Sequence, residues 1–240
     1  MIQTKITKKR VKDHFAYALW KYLILVVASV FGWNLIYTAT AYRPPRDKKV
    51  DIYFVTYGID SDTLAAFEAL AAPHFPDMEA LNFLSIGMGD AEDYYGTMQL
   101  TTYVGAQEGD IYIMTRDLMR SYAESGLFVP LNDAISEGII QLRGIDVAEV
   151  NFQISDPEYR IVERGIYAIP AKTLYGLIEY GIDNRDLYIG VTAYSQNQPN
   201  ALKMVDWFIE TFQTEKPQWL IEYEEQNPIP EPTDTVLPSY

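Results

Sequence analysis

The sequence predicts an α/β domain of three layers with a mostly parallel sheet, preceded by one transmembrane helix. Three observations carry this. β-rich runs alternate with amphipathic stretches of helical period, and that alternation implies parallel βαβ units covered on both faces. Each run is closed by glycine, proline or a capping residue. An uncharged 21-residue stretch, "YLILVVASVFGWNLIYTATAY" from Tyr22 to Tyr42, stands ahead of them.

At a helical rise of about 1.5 Å per residue this stretch spans roughly 30 Å, the thickness of a bilayer hydrocarbon core. It exceeds the ~7–15 apolar residues usual in a cleaved signal, although "ATAY" has the small residues of a cleavage site. The expectation is an uncleaved anchor, with Trp20, Tyr22, Trp33, Tyr37 and Tyr42 suited to the interface. Residues 1–49 hold ten of the 19 Lys and Arg but only two of the 33 acidic residues, Asp13 and Asp47. Six of those cations precede the span and four follow it closely, which favours a cytoplasmic N-terminus. The expected organisation is a basic cytoplasmic segment 1–21, a membrane helix 22–42, a linker 43–49, an extracytoplasmic α/β domain 50–215 and an acidic, proline-rich tail 216–240.

Beyond Lys49 the chain carries 9 cations against 31 acids, a formal charge of −22. Duplex binding needs a basic face that displaces counterions, so nucleic acid is excluded as a partner. Cysteine is absent, which removes a thiol nucleophile, a thiolate metal site and a lipid-modified cysteine. With only His14 and His74, zinc has no ligand set, and His74 is expected to cap or pack.

"VDIYFVTYG" (50–58) reads as the first strand, and "SDTLAAFEALAAPHF" as a helix capped by Ser61 or Asp62 with Leu64, Phe67, Leu70 and Ala71 inward. "EALNFLSIGMG" (79–89) is a second strand, "DAEDYYGTMQLTTYVGAQEG" a polar loop, and "DIYIM" (110–114) a third strand. Thr115 can cap a helix over 116–125 with Leu118, Met119 and Tyr122 inward, and Gly126 ends it in the left-handed position. Pro130 holds the backbone extended before Asn132 or Asp133 starts another turn. "GIYAIPA" (165–171) and "DLYIGVTAYS" (186–195) are further strands, and 197–212 is an amphipathic helix burying Leu202, Val205, Trp207, Phe208 and Ile209.

This order, carried by "GDIYIMTRDLMRSYAESGLFVPLNDAI", "GIYAIP" and "TAYSQNQPNALKMVDWFIETF", resembles the extracytoplasmic solute-binding proteins of ABC importers, specifically the first lobe of their type 2 periplasmic-binding fold. In that family the "YAIP" strand leaves for a second lobe and the chain returns more than a hundred residues later. Here only "AKTLYGLIEYGIDNR" (171–185) intervenes, too short for a second core. The resemblance therefore implies a single periplasmic-binding-protein-like lobe. It implies as partners the lipid bilayer, an ABC transporter permease or other membrane protein, and a small-molecule ligand.

Open α/β sheets bind ligands outside the carboxyl ends of their strands. The candidate ligand-binding residues are Tyr57, Asp60 and Ser61 after the first strand; Asp90, Tyr94 and Tyr95 after the second; Thr115 and Arg116 after the third. Tyrosines could stack a flat ligand and carboxylates could hold a cation, but Asp60, Ser61 and Asp62 also suit helix caps. "GDAEDYY" lacks EF-hand spacing and "GMG" lacks the third glycine of a dinucleotide loop. No cofactor or metal is expected. G-x-S-x-G is missing and no histidine stands near a loop serine, so the chain is read as non-catalytic. Two readings follow: a solute-binding accessory of a transporter or sensor, and a structural or interaction module that has lost solute binding.

Overall fold

Residues 7–88, 93–155 and 162–226 are described by the computed structural model. The chain divides into two compact units, Met1–Arg43 and Pro44–Tyr240. The first is a single helix, α1 (Lys8–Thr40), whose apolar stretch is exposed along its length. It has the length and composition of an anchor or a signal sequence. It begins well before Tyr22, because "KKRVKDHFAYALWK" contains no helix breaker and continues the same helical run.

In the second unit β1 (Lys49–Thr56) leads to α2 (Ser61–Ala71) and β2 (Ala80–Gly87). Then follow α3 (Tyr94–Gly105), β3 (Ile111–Thr115), α4 (Arg116–Glu124) and α5 (Asn132–Ser136). A hairpin of β4 (Asn151–Ser155) and β5 (Val162–Ile166) precedes β6 (Ile169–Pro170), β7 (Leu187–Val191), α6 (Gln198–Phe212) and α7 (Gln218–Gln226).

The main sheet has the order β2-β1-β3-β7-β6. β1 runs parallel to β2 and β3, whereas β7 is antiparallel to both β3 and β6. The sheet is therefore mixed, which corrects the mostly parallel expectation. The cause is the short return from β6: antiparallel neighbours can be joined by a compact link, while a parallel pair needs a longer crossover. Residues 171–186 form that link, with a 3-10 turn at Tyr175–Tyr180.

Alternate residues of each strand serve opposite faces. Ile52 and Phe54 of β1, Ile111 and Ile113 of β3 and Ile189 of β7 pack with Phe67 of α2 and Val205, Phe208 and Phe212 of α6. Tyr53 and Val55, Tyr112 and Met114, and Tyr188 pack on the other face with Leu100 of α3 and Met119 and Ala123 of α4. Three layers result, as the period-2 pattern requires. On α2, Phe67 and Ala71 are buried and Leu64 is partly buried, but Leu70 turns outward.

The expected loop after β2 is instead largely α3. Asp93 caps it by accepting the Tyr95 and Gly96 N–H groups, both at 3.0 Å. Gly96 lies against β2: a Cβ there would stand 2.6 Å from the Gly87 carbonyl oxygen. Glycine is thus required by close approach, at a helix position it otherwise weakens.

The segment 108–135 is built as one continuous unit. α4 ends in a Schellman motif, with Gly126 N–H on the Ala123 carbonyl (2.9 Å), Leu127 N–H on that of Tyr122 (3.0 Å), and φ +78° at Gly126. The chain then runs beside β7, where Val129 N–H meets the Val191 carbonyl at 3.0 Å. "GIYAIPA" is divided: β5 pairs with β4, and only Ile169–Pro170 joins the main sheet.

Candidate functional site

From β1 the chain moves to one neighbour, β2, and then returns past β1 to β3 on the other side. This reversal defines a topological switch point outside the carboxyl ends of β1 and β3, where a crevice opens in sheets of this kind. Val55 pairs with Met114, so β1 and β3 end level, with Tyr57 and Arg116 on either side of the crevice.

Tyr57 is 67% exposed. Three residues on, Asp60 caps α2: its Oδ1 accepts Asp62 N–H at 3.0 Å and Thr63 N–H at 2.8 Å, and its Oδ2 accepts the Thr63 hydroxyl at 2.9 Å. The Thr63 bonds hold this carboxyl below the usual aspartate value. Ser61 is the first helical residue and is exposed. The Ile59 N–H donates to the Ser85 hydroxyl at 3.2 Å, tying the loop to β2.

Across the switch point, Thr115 occupies the N-cap position of α4 but makes no side-chain cap bond. Its place is taken by Asp186, whose carboxylate accepts the Arg116 N–H. Thr115 pairs with Leu187, which brings Asp186 there. Desolvation pushes the Asp186 carboxyl up, while the Arg116 bond partly offsets it. Arg116 itself is exposed.

Loop 56–60 faces residues 180–183 across a recess of about 190 Å³. That second wall comes from the 171–186 link. Its 3-10 turn stops at Gly181, with φ +74° and an N–H bond to the Ile178 carbonyl of 2.9 Å. Ile182 is buried beneath, and the Tyr180 ring packs 4.9 Å from that of Phe67. At the mouth Asp183 accepts Arg185 Nε at 2.8 Å, which lowers its pKa. Sequence reasoning took 171–185 for a plain connection and missed this wall. The available signal was a glycine stop followed by the charge-rich "DNRD" immediately ahead of a strand.

The expected site residues thus separate. Tyr57 and Asp60 share the recess, while Thr115 and Arg116 adjoin Asp186. Tyr94 and Tyr95 sit on the first turn of α3, 72% and 77% exposed, with ring centroids 5.7 Å apart at 78°. They do not line the recess. Asp90 lies outside the described residues.

A second polar group occupies the opposite end of the strands and was not foreseen. Asp51 and Asp110 are only 8% and 9% exposed. Asp110 accepts the Asp51 N–H at 2.8 Å and the Ser195 hydroxyl at 2.6 Å, and Asp51 accepts Asn82 Nδ2 at 2.6 Å and pairs with Lys49. Asn197 donates through Nδ2 to the Lys49 carbonyl at 2.9 Å. These bonds fasten the chain after β7 to the start of β1, a role in packing. Among the described residues no cluster of three or more His, Cys, Asp or Glu could hold a metal.

No protein-family model matches the chain, and no curated protein matches it in sequence. Solved structures that resemble it are solute-binding proteins of ABC transporters. One is an extracellular solute-binding protein of family 1 from Alicyclobacillus acidocaldarius, at 18% identity and a TM-score of 0.31, matched over 54% of this chain and 29% of that one. An N-glycan transport solute-binding protein from Streptococcus pneumoniae gives 15% identity and 0.36, over 56% of this chain and 30% of its own. The spermidine/putrescine ABC transporter substrate-binding protein from Streptococcus pneumoniae gives 11% and 0.39, over 68% and 78%. The chain thus spans under a third of the first two. Likeness at this level does not define an activity.

Proposed function

We propose that this chain is a non-catalytic, membrane-tethered, extracytoplasmic domain of solute-binding type that serves as an accessory to a transporter or sensor. Its switch-point rim docks on a membrane partner rather than enclosing a solute. One observation carries the reading: the 171–186 link returns β6 directly to β7, so that among the described residues the loop after β1 faces this link across a recess of about 190 Å³. Small-molecule sites are typically ~300–1,000 Å³ and bury most of the ligand. The recess is below that range, while Tyr57 stands out from it as a side chain suited to a protein contact.

The cation-rich segment before the apolar stretch supports a cytoplasmic N-terminus, with α1 as the tether. The acidity of the remaining chain supports a domain that stands off an anionic leaflet.

The competing reading is solute capture at the same rim, and melting of the full chain in lipid nanodiscs separates the two. Maltotriose, glutamate, spermidine and calcium, each at millimolar concentration, are expected to shift the midpoint by less than about 1 °C. A captured solute at 100 times its Kd would stabilise by about 2.7 kcal/mol, or roughly 5–10 °C for a domain of this size. Such a rise, lost in Tyr57→Ala, would sink the docking reading.

A further inference from the structure

The two edges of the main sheet are built differently. One is β6, only Ile169–Pro170, where shortness and proline leave little for another strand to pair with. The other is β2, whose 8 residues, "ALNFLSIG", include no lysine, no proline and no charge, the devices that usually blunt an edge. Its register with β1 is continuous from Ala80 to Gly87, so no bulge turns this edge aside. Met88 N–H donates to the Thr56 carbonyl at 2.8 Å. Inward groups recur at every second residue, so those of Asn82, Leu84 and Ile86 face β1, and the N–H and C=O groups of Leu81, Phe83 and Ser85 point outward. Among the described residues no strand and no backbone group meets them.

The side chains along this edge suit a second strand. On one face Leu81 and Phe83 are buried in the core that α2 shares. On the other, Ile86 is buried with Leu100 of α3, whereas Leu84 remains 37% exposed. An apolar side chain thus stands uncovered in the middle of an unpaired edge. The strand is also neutral within a chain that is strongly acidic beyond Lys49. A second copy of the same strand therefore brings no like charge to the pairing.

We infer that β2 pairs antiparallel with β2 of a second copy of this chain, joining two 5-stranded sheets into one across a two-fold axis. With the axis at Leu84, Phe83 of each copy exchanges backbone hydrogen bonds with Ser85 of the other. The two Leu84 residues then form a non-hydrogen-bonded pair, with Cα atoms about 4.5 Å apart and side chains in contact. Each leucine covers the exposed surface of the other. The contact is isologous, and it closes at two copies because β6 offers no comparable edge to a further one. β2 alone forms this surface, so the inference does not rest on docking at the rim.

The full chain has no cysteine, so a single introduced thiol reports this contact without background. In native membranes oxidised with copper phenanthroline, Leu84→Cys should give a disulfide-linked species of twice the chain mass, because about 4.5 Å lies within the ~4.4–6.8 Å that a disulfide spans. Lys203→Cys, exposed on α6, should not. In detergent, sedimentation equilibrium of the wild type should show monomer and dimer in exchange. Full-length Leu84→Lys sets like charges opposite one another and should weaken that dimer roughly ten-fold or more, with the circular dichroism spectrum unchanged. A wild type that stays monomeric, or a dimer that Leu84→Lys leaves intact, would overturn the inference. So would equal crosslinking at both positions, or an adduct at position 84 of any other mass, which would give the edge to a strand of a different protein.

Discussion

Replacing Phe67 by alanine should lower the unfolding free energy of the domain by about 3–5 kcal/mol, the usual cost of emptying a buried phenylalanine site. Phe67 is fully buried, and its ring meets four others: Phe54 at 5.5 Å, Phe83 at 5.8 Å, Tyr180 at 4.9 Å and Phe212 at 5.4 Å. Those partners lie on β1, β2, the 171–186 link and α6, so one side chain joins α2 to the parallel strands and to the closing segment. At about 2–4 °C per kcal/mol the midpoint of the near-ultraviolet circular dichroism melt should fall by roughly 6–20 °C. Leu70→Ala, on the same helix but facing outward, should shift it by less than about 3 °C. Equal effects would show that α2 does not pack as described.

Asp110→Ala should be the next most damaging change. It strips the acceptor from the buried Asp51 N–H and from the Ser195 hydroxyl. An unpaired buried donor costs ~1–3 kcal/mol, so a loss of about 2–5 kcal/mol is expected. Asp110→Asn keeps an acceptor for the Asp51 N–H and should lose less than half as much.

The pH dependence adds a second readout. Burial pushes the Asp110 carboxyl above 3.8, despite the opposing Ser195 and Asp51 bonds. With the folded value above the unfolded one, the protonated form is favoured in the folded state. Its contribution is complete below the unfolded pKa and is lost as pH rises through the folded one. From about pH 4 upward the wild type should therefore lose stability relative to Asp110→Asn, and then level off. A difference that grows in the opposite direction would contradict the burial of this carboxyl. Chemical denaturation at several pH values supplies both results.

Much of the sheet was legible because its strands are unbroken apolar runs with clear punctuation. Residues 50–55 of "VDIYFVTYG" and all of "DIYIM" are buried on both faces, and Gly126 ends α4 as its position required. α3 was not legible. Its threonines and Gly96 are poor helix formers, and the packing of α3 on β2, with Leu100 buried in the core of that face, outweighs that propensity. "NFQIS" alternates with period two and could have revealed β4, but it is short and offers no turn signal at its start. At the rim the strand-end rule picks Tyr57 and Arg116, which directly follow the last residues of β1 and β3. It could not supply residues 180–183, which reach the recess only through the placement of a short link against α2. The direction of β7 was hidden for the same reason, since hydrophobic pattern does not encode which way a buried strand runs.

Docking by the rim is tested most directly by placing a photo-crosslinking p-benzoylphenylalanine at Tyr57 of the full chain and, as the control, at Lys203, exposed on α6. After irradiation in native membranes, position 57 should yield a discrete adduct heavier by the mass of one membrane protein, and position 203 should not. No adduct at 57, or the same adduct at both positions, would contradict the assignment of the rim as the docking surface.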